Sequence, residues 1–188
     1  RESYPGGIFY AHSHLMERAG RYNAGAGGGS ITLLPVIETD LENVTDLIPT
    51  NLMSQTDGHL LFSASLASQG QYPAIDWDRS VTRVGRQTLG GLHKELSYKL
   101  RFVLAEYKEL ESLRRFEGEL AAQTQTAIKQ AQIITELLRQ ENGLPIDVQT
   151  QVILLSLVFS RFFNDKDSNF AKENKKNLIE AIKGSRIL

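Results

Sequence analysis

The sequence contains no cysteine, which excludes a disulfide framework and any thiolate metal site. The redox compartment stays open, and a reducing interior is compatible. It has no surplus of charge: 21 Lys+Arg stand against 22 Asp+Glu, a formal net charge of -1. Nucleic-acid binders usually show a basic surplus, so nucleic acid is not an expected partner. Long hydrophobic runs are also missing. The most apolar stretch, Val152 to Phe159, is broken by Ser156 and followed by Arg161, whereas a membrane span needs about 20 apolar residues. It reads as a buried helix, so direct membrane insertion is not expected and any membrane link must come through partners. Arg1 to Gly7 leads into a polar stretch and carries no secretory signal. Glycine is scarce in the second half, where only Gly118, Gly143 and Gly184 occur beyond residue 92.

What remains is 188 residues, 41% of them hydrophobic, enough for one ordinary domain or two small ones with a packed core. Nearly all the glycine lies before residue 92, which predicts a mixed, loop-rich region giving way to a helical one. Ile8 to Arg21 reads as a helix, with Ile8, His12, Leu15, Met16 and Ala19 on one stripe. Gly25 to Gly29 reads as a flexible loop. Ile31 to Ile37 is apolar on both alternating faces, the pattern of a strand covered on both sides in a parallel sheet. Leu52 to Gln55 and His59 to Ser63 read as short strands flanking an Asp57-Gly58 turn in which both positions accept positive φ. Ser65 to Gly91 reads as irregular.

Helices follow. Leu92, Leu96, Leu100, Leu104, Tyr107, Leu110 and Leu113 keep a three-to-four spacing, with Glu95–Lys99 and Glu111–Arg115 one turn apart on the outside. Ile128, Ala131, Ile134 and Leu138 form a second stripe. Gly143 and Pro145 separate it from a third, made by Val148, Val152, Leu155, Phe159 and Phe162. Asn164 to Ser168 supplies cap candidates for a last helix ending near Gly184. Four amphipathic helices with short connections imply a compact bundle. No internal repeat is present.

The glycine run Gly25-Ala26-Gly27-Gly28-Gly29-Ser30 lacks the lysine of a P-loop and precedes a strand instead of opening a helix, so it reads as a loop and not a phosphate cradle. His12, His14, His59 and His93 have no ligand-like spacing, and no metal site is expected. Asp76, Asp78, Arg79, Ser80, Thr82 and Arg83 form a dense polar cluster. It is either a solvated loop or a loop presenting an arginine whose rigid fork engages phosphate oxygens; spacing alone does not choose. The lysines of the tail, Lys166, Lys172, Lys175, Lys176 and Lys183 with Arg186, read as a solvated helix face and not a nucleic-acid patch.

Several segments resemble, in order, the α subunit of F-type rotary ATP synthases. They are Arg1-Glu2-Ser3-Tyr4-Pro5-Gly6, Phe9-Tyr10-Ala11-His12-Ser13, Leu15-Met16-Glu17-Arg18-Ala19, Gly28-Gly29-Ser30-Ile31-Thr32 and Pro35-Val36-Ile37-Glu38-Thr39. The most specific are Ile48 to Gly58 (IPTNLMSQTDG), Pro73-Ala74-Ile75-Asp76 and Ser80-Val81-Thr82-Arg83-Val84-Gly85. Weaker matches run through Leu104 to Glu111, Thr124-Gln125 and Leu137-Leu138-Arg139-Gln140; beyond about Val152 only helical character is shared. The Ser-Val-Thr-Arg-Val-Gly string and the His-Ser helix resemble α and not the catalytic β subunit. Tyr72, standing where α subunits usually have arginine, is the β-like departure.

The resemblance implies α/β followed by all-α: residues 1–88 as the C-terminal part of a RecA-like nucleotide-binding domain whose P-loop half is absent, then a helical bundle over 89–188. It further implies a truncated, excised or degenerate relative, with the open sheet edge paired, covered or rearranged. In that family α alternates with a catalytic β-type subunit around a central-stalk subunit, peripheral to the cytoplasmic side (or its matrix or stroma equivalent) of an energy-transducing membrane. ATP synthesis and hydrolysis are coupled there to proton or sodium transport. The resemblance assigns Arg83 the role of an arginine finger acting in trans at the β nucleotide, and Ser54 a place near the phosphate. Tyr72, Pro73, Gln140 and Asn142 match the surroundings of the non-catalytic adenine, with Tyr72 and Asn142 replacing the usual arginine and glutamine. ATP or ADP with Mg is expected in the full complex, and no tightly bound nucleotide or self-contained catalytic site in this chain alone. Two other classes are compatible with the residues: a helical interaction module without a phosphate role, and an independent nucleotide hydrolase, which the missing P-loop disfavours.

Overall fold

The computed structural model describes residues 4–114, 122–141 and 143–185. The Arg1–Ser3 match, the Glu111–Arg115 pair, the Leu113 and Thr124 side chains, Asn142 and Arg186 lie outside what it describes. By its internal packing the chain divides into two units, Arg1–Ala64 with Ile75–Gly85, and Ser65–Ala74 with Arg86–Leu188.

The first unit opens with helix α1, Ile8–Met16, shorter than the expected Ile8–Arg21. Gly20–Arg21 leaves the helix as strand β1 and pairs antiparallel with β2, Ser30–Ile31. Glycine costs about 1 kcal/mol relative to alanine inside a helix, and here its backbone finds sheet partners instead. The glycine-rich connection is a shaped turn and not a featureless loop. The Asn23 side chain accepts the Ala26 N–H at 2.9 Å, and Gly27, Gly28 and Gly29 all have positive φ (92, 68 and 85°).

The expected parallel strand over Ile31 to Ile37 is not formed. Among the described residues strand character ends at Ile31, every strand pair is antiparallel, and Leu34 and Val36 are 81% and 95% exposed. An apolar run becomes a buried strand only where neighbours pair with both of its edges and cover both faces. The described residues supply only the two-residue β1 partner.

Leu52 to Gln55, expected as a strand, belongs to helix α2, Leu47–Gln55. Pro49 sits in its first turn, where proline is tolerated. Pro49 and Leu52, three residues apart and thus on one helix face, are its buried residues. Asp57-Gly58 accordingly joins a helix to strand β3, Gly58–Phe62, and neither residue has positive φ. Glycine is required at 58 for a different reason: a Cβ there would lie 2.5 Å from the Val81 carbonyl oxygen.

The segment expected to be irregular holds α3 (Ala64–Ser68), β4 (Ile75–Thr82) and α4 (Gly85–Thr88). β4 pairs antiparallel with β3, from Gly58↔Thr82 and His59↔Val81 to Leu61↔Asp76 and Phe62↔Ile75. The register shift between His59 and Leu61 takes up the extra residues of β4. Its polar side chains hold that bulge. Asp76 Oδ1 accepts the N–H groups of Asp78 and Arg79 at 3.1 and 3.2 Å, while buried Ser80 donates to Asp76 O at 2.6 Å and accepts Leu61 N–H at 3.0 Å. The strand lacks apolar alternation because its side chains serve the bulge and not a covered face, so a periodicity reading misses it.

The second unit is helical, as expected. α5 (Gly91–Arg114), α6 (Ala122–Leu138), α7 (Val148–Ser156) and α8 (Ser168–Gly184) share a core of Leu96, Val103, Ala131, Ile133, Ile134, Leu137, Leu154, Leu155, Val158, Phe163, Ala171 and Ile182. The expected stripes supply much of it, with Leu100, Leu104, Tyr107, Leu138 and Val152 packed against it. The stripe ends do not: Leu92 and Val148 are 63% and 61% exposed. α7 does not continue to Phe162 but gives way to 3₁₀ turns at Leu157–Phe159 and Arg161–Phe163. There Phe162, Phe163 and Phe170 pack edge to face at 5.0–6.3 Å, with the Lys166 ammonium 4.4 Å from the Phe162 ring centre. Asp167 caps α8 by accepting the Phe170 N–H at 2.9 Å. Glu95 and Lys99 pair at 2.7 Å on α5. No helix among the described residues is long and apolar enough to cross a membrane.

Candidate functional site

Two groups of candidate residues form, one in each unit. In the first, Arg83 directly follows β4 and its N–H donates to Asp57 O at 2.8 Å, extending the β3–β4 pairing by one bond. The pairing fixes where the side chain leaves the backbone. Its guanidinium is exposed and donates from Nη1 to the carbonyl oxygens of Ser54 (2.9 Å) and Thr56 (3.4 Å), at the C-terminal end of α2. A cation at a helix C-terminus meets carbonyls that have no intrahelical partner. Among the described residues no carboxylate lies in ion-pair contact with Arg83. Its charge is therefore oriented but not neutralised, unlike that of nearby Arg79, which pairs with Glu42 at 3.3 Å.

Ser54 is brought to Arg83 through its backbone. Its hydroxyl is exposed but donates back to Asn51 O within α2 at 2.7 Å, the usual resting bond of a helical serine. The polar cluster that the sequence left open as a solvated loop or a presenting loop is a bulged strand, with Arg83 just beyond its end.

In the second unit Tyr72 and Pro73 lie beside the end of α6. The Gln140 N–H donates to Tyr72 O at 2.6 Å. The Tyr72 side chain is 54% exposed and Gln140 is half-buried. An exposed aromatic face such as that of Tyr72 can stack on a flat heteroaromatic ring.

One residue of this group escaped the sequence reading. Lys175 belongs to no solvated face: it is half-buried, and its ammonium donates to Glu136 O at 3.1 Å and to Arg139 O. Burial pushes its pKa from 10.5 down to about 8, opposed by the Glu136 carboxylate, helped by Arg139 and opposed by Glu141. The signal was present in the spacing. Ala171, Lys175, Leu178 and Ile182 form one stripe of α8, three members of which are in or against the core, so the lysine interrupts an apolar face. Next to it, exposed Lys176 pairs with Glu141 at 2.9 Å.

The four histidines are dispersed, and among the described residues no cluster of three His, Asp or Glu could hold a metal ion.

Residues 1–82 match the family described as ATP synthase alpha/beta family, nucleotide-binding domain. Residues 91–186 match ATP synthase alpha/beta chain, C terminal domain. The chain is similar to ATP synthase subunit alpha 2 of Nitrosospira multiformis, with 41% identity over 165 residues, 88% of this chain and 32% of that protein. It is also similar to ATP synthase subunit alpha of Mycoplasmoides gallisepticum, with 37% identity over 187 residues, 100% of this chain and 36% of that protein. With ATP synthase subunit alpha of Clostridium botulinum (strain Eklund 17B / Type B) it shares 37% over 182 residues, 97% of this chain and 36% of that protein. The chain thus spans about a third of the length of these curated relatives.

Proposed function

The chain belongs to the ATP synthase alpha/beta family, and from that premise we propose that it acts as the C-terminal portion of a non-catalytic α-type subunit of an F-type rotary ATP synthase. In this reading residues 1–88 are part of a RecA-like nucleotide-binding domain and residues 89–188 the helical domain that follows; the packing units differ from this division in grouping Ser65–Ala74 with the helices. Arg83 supplies a cation in trans to the nucleotide of a β-type catalytic subunit.

The observation that carries the reading is the exposed guanidinium of Arg83, aimed by two backbone carbonyls and free of carboxylate contact among the described residues. As charge spreads over the oxygens of a transferring phosphoryl group, a cation already in place stabilises it without reorganisation. The carbonyl bonds are exposed and individually weak, so the fork can leave them for phosphate oxygens, where charge-assisted bidentate contacts are stronger. The Ser54 hydroxyl, on the same residue as the carbonyl that holds Arg83, helps to position the same group.

Tyr72, Pro73, Gln140 and Asn142 serve the adenine of a second, non-catalytic ATP or ADP, with the exposed Tyr72 ring as the stacking surface. The nucleotide enters with Mg in the assembled complex, where its phosphates are held by residues other than these. The partners are a β-type subunit and the central stalk, the site of action is peripheral to the cytoplasmic side (or its equivalent) of the membrane, and the coupled ion is a proton or sodium. The direct test is ATP turnover of the assembled complex carrying Arg83→Ala; near-normal turnover eliminates the finger.

The exposed Leu92, Tyr98 and Phe102 of α5, 61–73% accessible, favour a second reading, an interaction module with no phosphate role. Assembly with a β-type subunit that is indifferent to Arg83 at every step of turnover would favour it over the first.

A further inference from the structure

The last turn of α6 contains an exchange of hydrogen-bond partners. The helix ladder still holds at Arg139, whose N–H donates to Thr135 O at 3.1 Å. One residue on, the Gln140 N–H would complete the next rung by donating to Glu136 O, four residues back. It donates to Tyr72 O instead, at 2.6 Å. The vacated Glu136 carbonyl does not go without a donor: the Lys175 ammonium, arriving from α8, takes it at 3.1 Å and also donates to Arg139 O. A half-buried carbonyl left without a donor would cost about 1–3 kcal/mol, so the lysine removes the penalty that would otherwise draw Gln140 back into the helix.

We propose that Lys175 is a positioning residue for the base subsite, holding α6 open at Glu136 so that Gln140 is presented beside Tyr72 and not wound into one more helical residue. The proposal rests on the reading that Tyr72 and Gln140 hold an adenine. Lys175 reaches the subsite only through backbone carbonyls of α6, which separates it from a ligand-contacting group. The exchange is a choice between two discrete arrangements, and the base meets its amide only in one. If removal of the ammonium leaves about a tenth of molecules in that arrangement, apparent affinity falls about tenfold.

The experiment uses the full chain, labelled for NMR, and adenosine as the probe, which needs no phosphate site. In the wild type a hydrogen-bond scalar coupling is expected from the Gln140 amide nitrogen to the Tyr72 carbonyl carbon. In Lys175→Met it should vanish or move to the Glu136 carbonyl, the Gln140 Cα shift should move in the helical direction, and adenosine affinity should fall about tenfold. Lys175→Arg, which again offers donors to two carbonyls, should restore both; Lys175→Leu serves if the methionine variant does not fold. An unchanged coupling, or a moved coupling with unchanged adenosine affinity, overturns the role of Lys175. Tyr72→Ala separates the two readings. If it abolishes adenosine binding while Lys175→Met leaves it intact, the positioning role alone falls. If adenosine binding is absent or indifferent to Tyr72, the base-subsite reading falls and takes the positioning role with it.

Discussion

The Arg83 guanidinium is held 2.9 Å from the carbonyl oxygen of Ser54, the C-terminal end of α2 meeting the residue that follows β4. Arg83 and Ser54 lie 29 residues apart in sequence. Their meeting depends on the β3–β4 pairing, which returns the chain to the start of β3 and so to the helix that precedes it.

This contact is exposed, so Arg83→Ala should lower the stability of the chain by less than about 1 kcal/mol. In an assembled complex the same substitution should reduce ATP turnover by about a thousandfold or more. Arg83→Lys should rescue little, because a point ammonium does not reproduce the planar fork. Paired urea denaturation and turnover measurements check both halves.

Gly58→Ala should destabilise the first unit by about 1–3 kcal/mol. The added Cβ would meet Val81 O at 2.5 Å and Thr82 Cα at 3.2 Å; both are backbone atoms of the paired strand, which cannot swing aside like a side-chain tip. Gly90→Ala, where nothing lies within 4 Å, is the control and should change urea stability by no more than about 0.5 kcal/mol.

Leu154→Ala should cost about 2–5 kcal/mol, since Leu154 is wholly buried in the helical core. Val148→Ala, on the same helix but 61% exposed, should cost a small fraction of that. Equal effects at the two positions would mean that the face of α7 is assigned wrongly.

Lys175 gives a pH dependence with a definite sign. Its folded-state pKa of about 8 lies below the ordinary 10.5. Between these values the native state has released a proton that the unfolded state still holds, so this group's contribution to stability rises with pH across that window and is level below it. The groups facing the ammonium are Glu136, Arg139 and Glu141. The melting temperature of the wild type minus that of Lys175→Met should therefore increase as pH is raised from 7.5 to 10. A flat or falling difference contradicts the burial of this amine.

The helical half of the molecule was legible because its stripes repeat over many turns. Leu96, Ala131, Ile134 and Leu155, named by spacing alone, are all in the core. The spacing failed at stripe ends such as Leu92 and Val148, where a helix outruns the surface it packs on. In the first unit the same rules misled. Leu52 to Gln55 resembles a strand in isolation, but Pro49 and Leu52 lie on one buried helical face. β4 shows no strand period because Asp76 and Ser80 are occupied in holding a bulge. The sequence resemblance brought Arg83 to notice, yet its carbonyl partners are a product of tertiary pairing that no local spacing encodes. Lys175 lay between the two cases. Its place in an apolar stripe was visible, but its partners at Glu136 and Arg139 were not.

The three successive glycines at 27–29, all at positive φ, give this short turn a handedness opposite to the one natural side chains prefer. Mirror-image residues favour that same region of backbone space. A semisynthetic chain carrying D-alanine at Gly28 should therefore keep the β1–β2 turn, and its restricted denatured chain should lose less entropy on folding. The L-alanine counterpart would be strained, although nothing lies within 4 Å of the added carbon. At this position chirality, and not space, is what excludes a side chain.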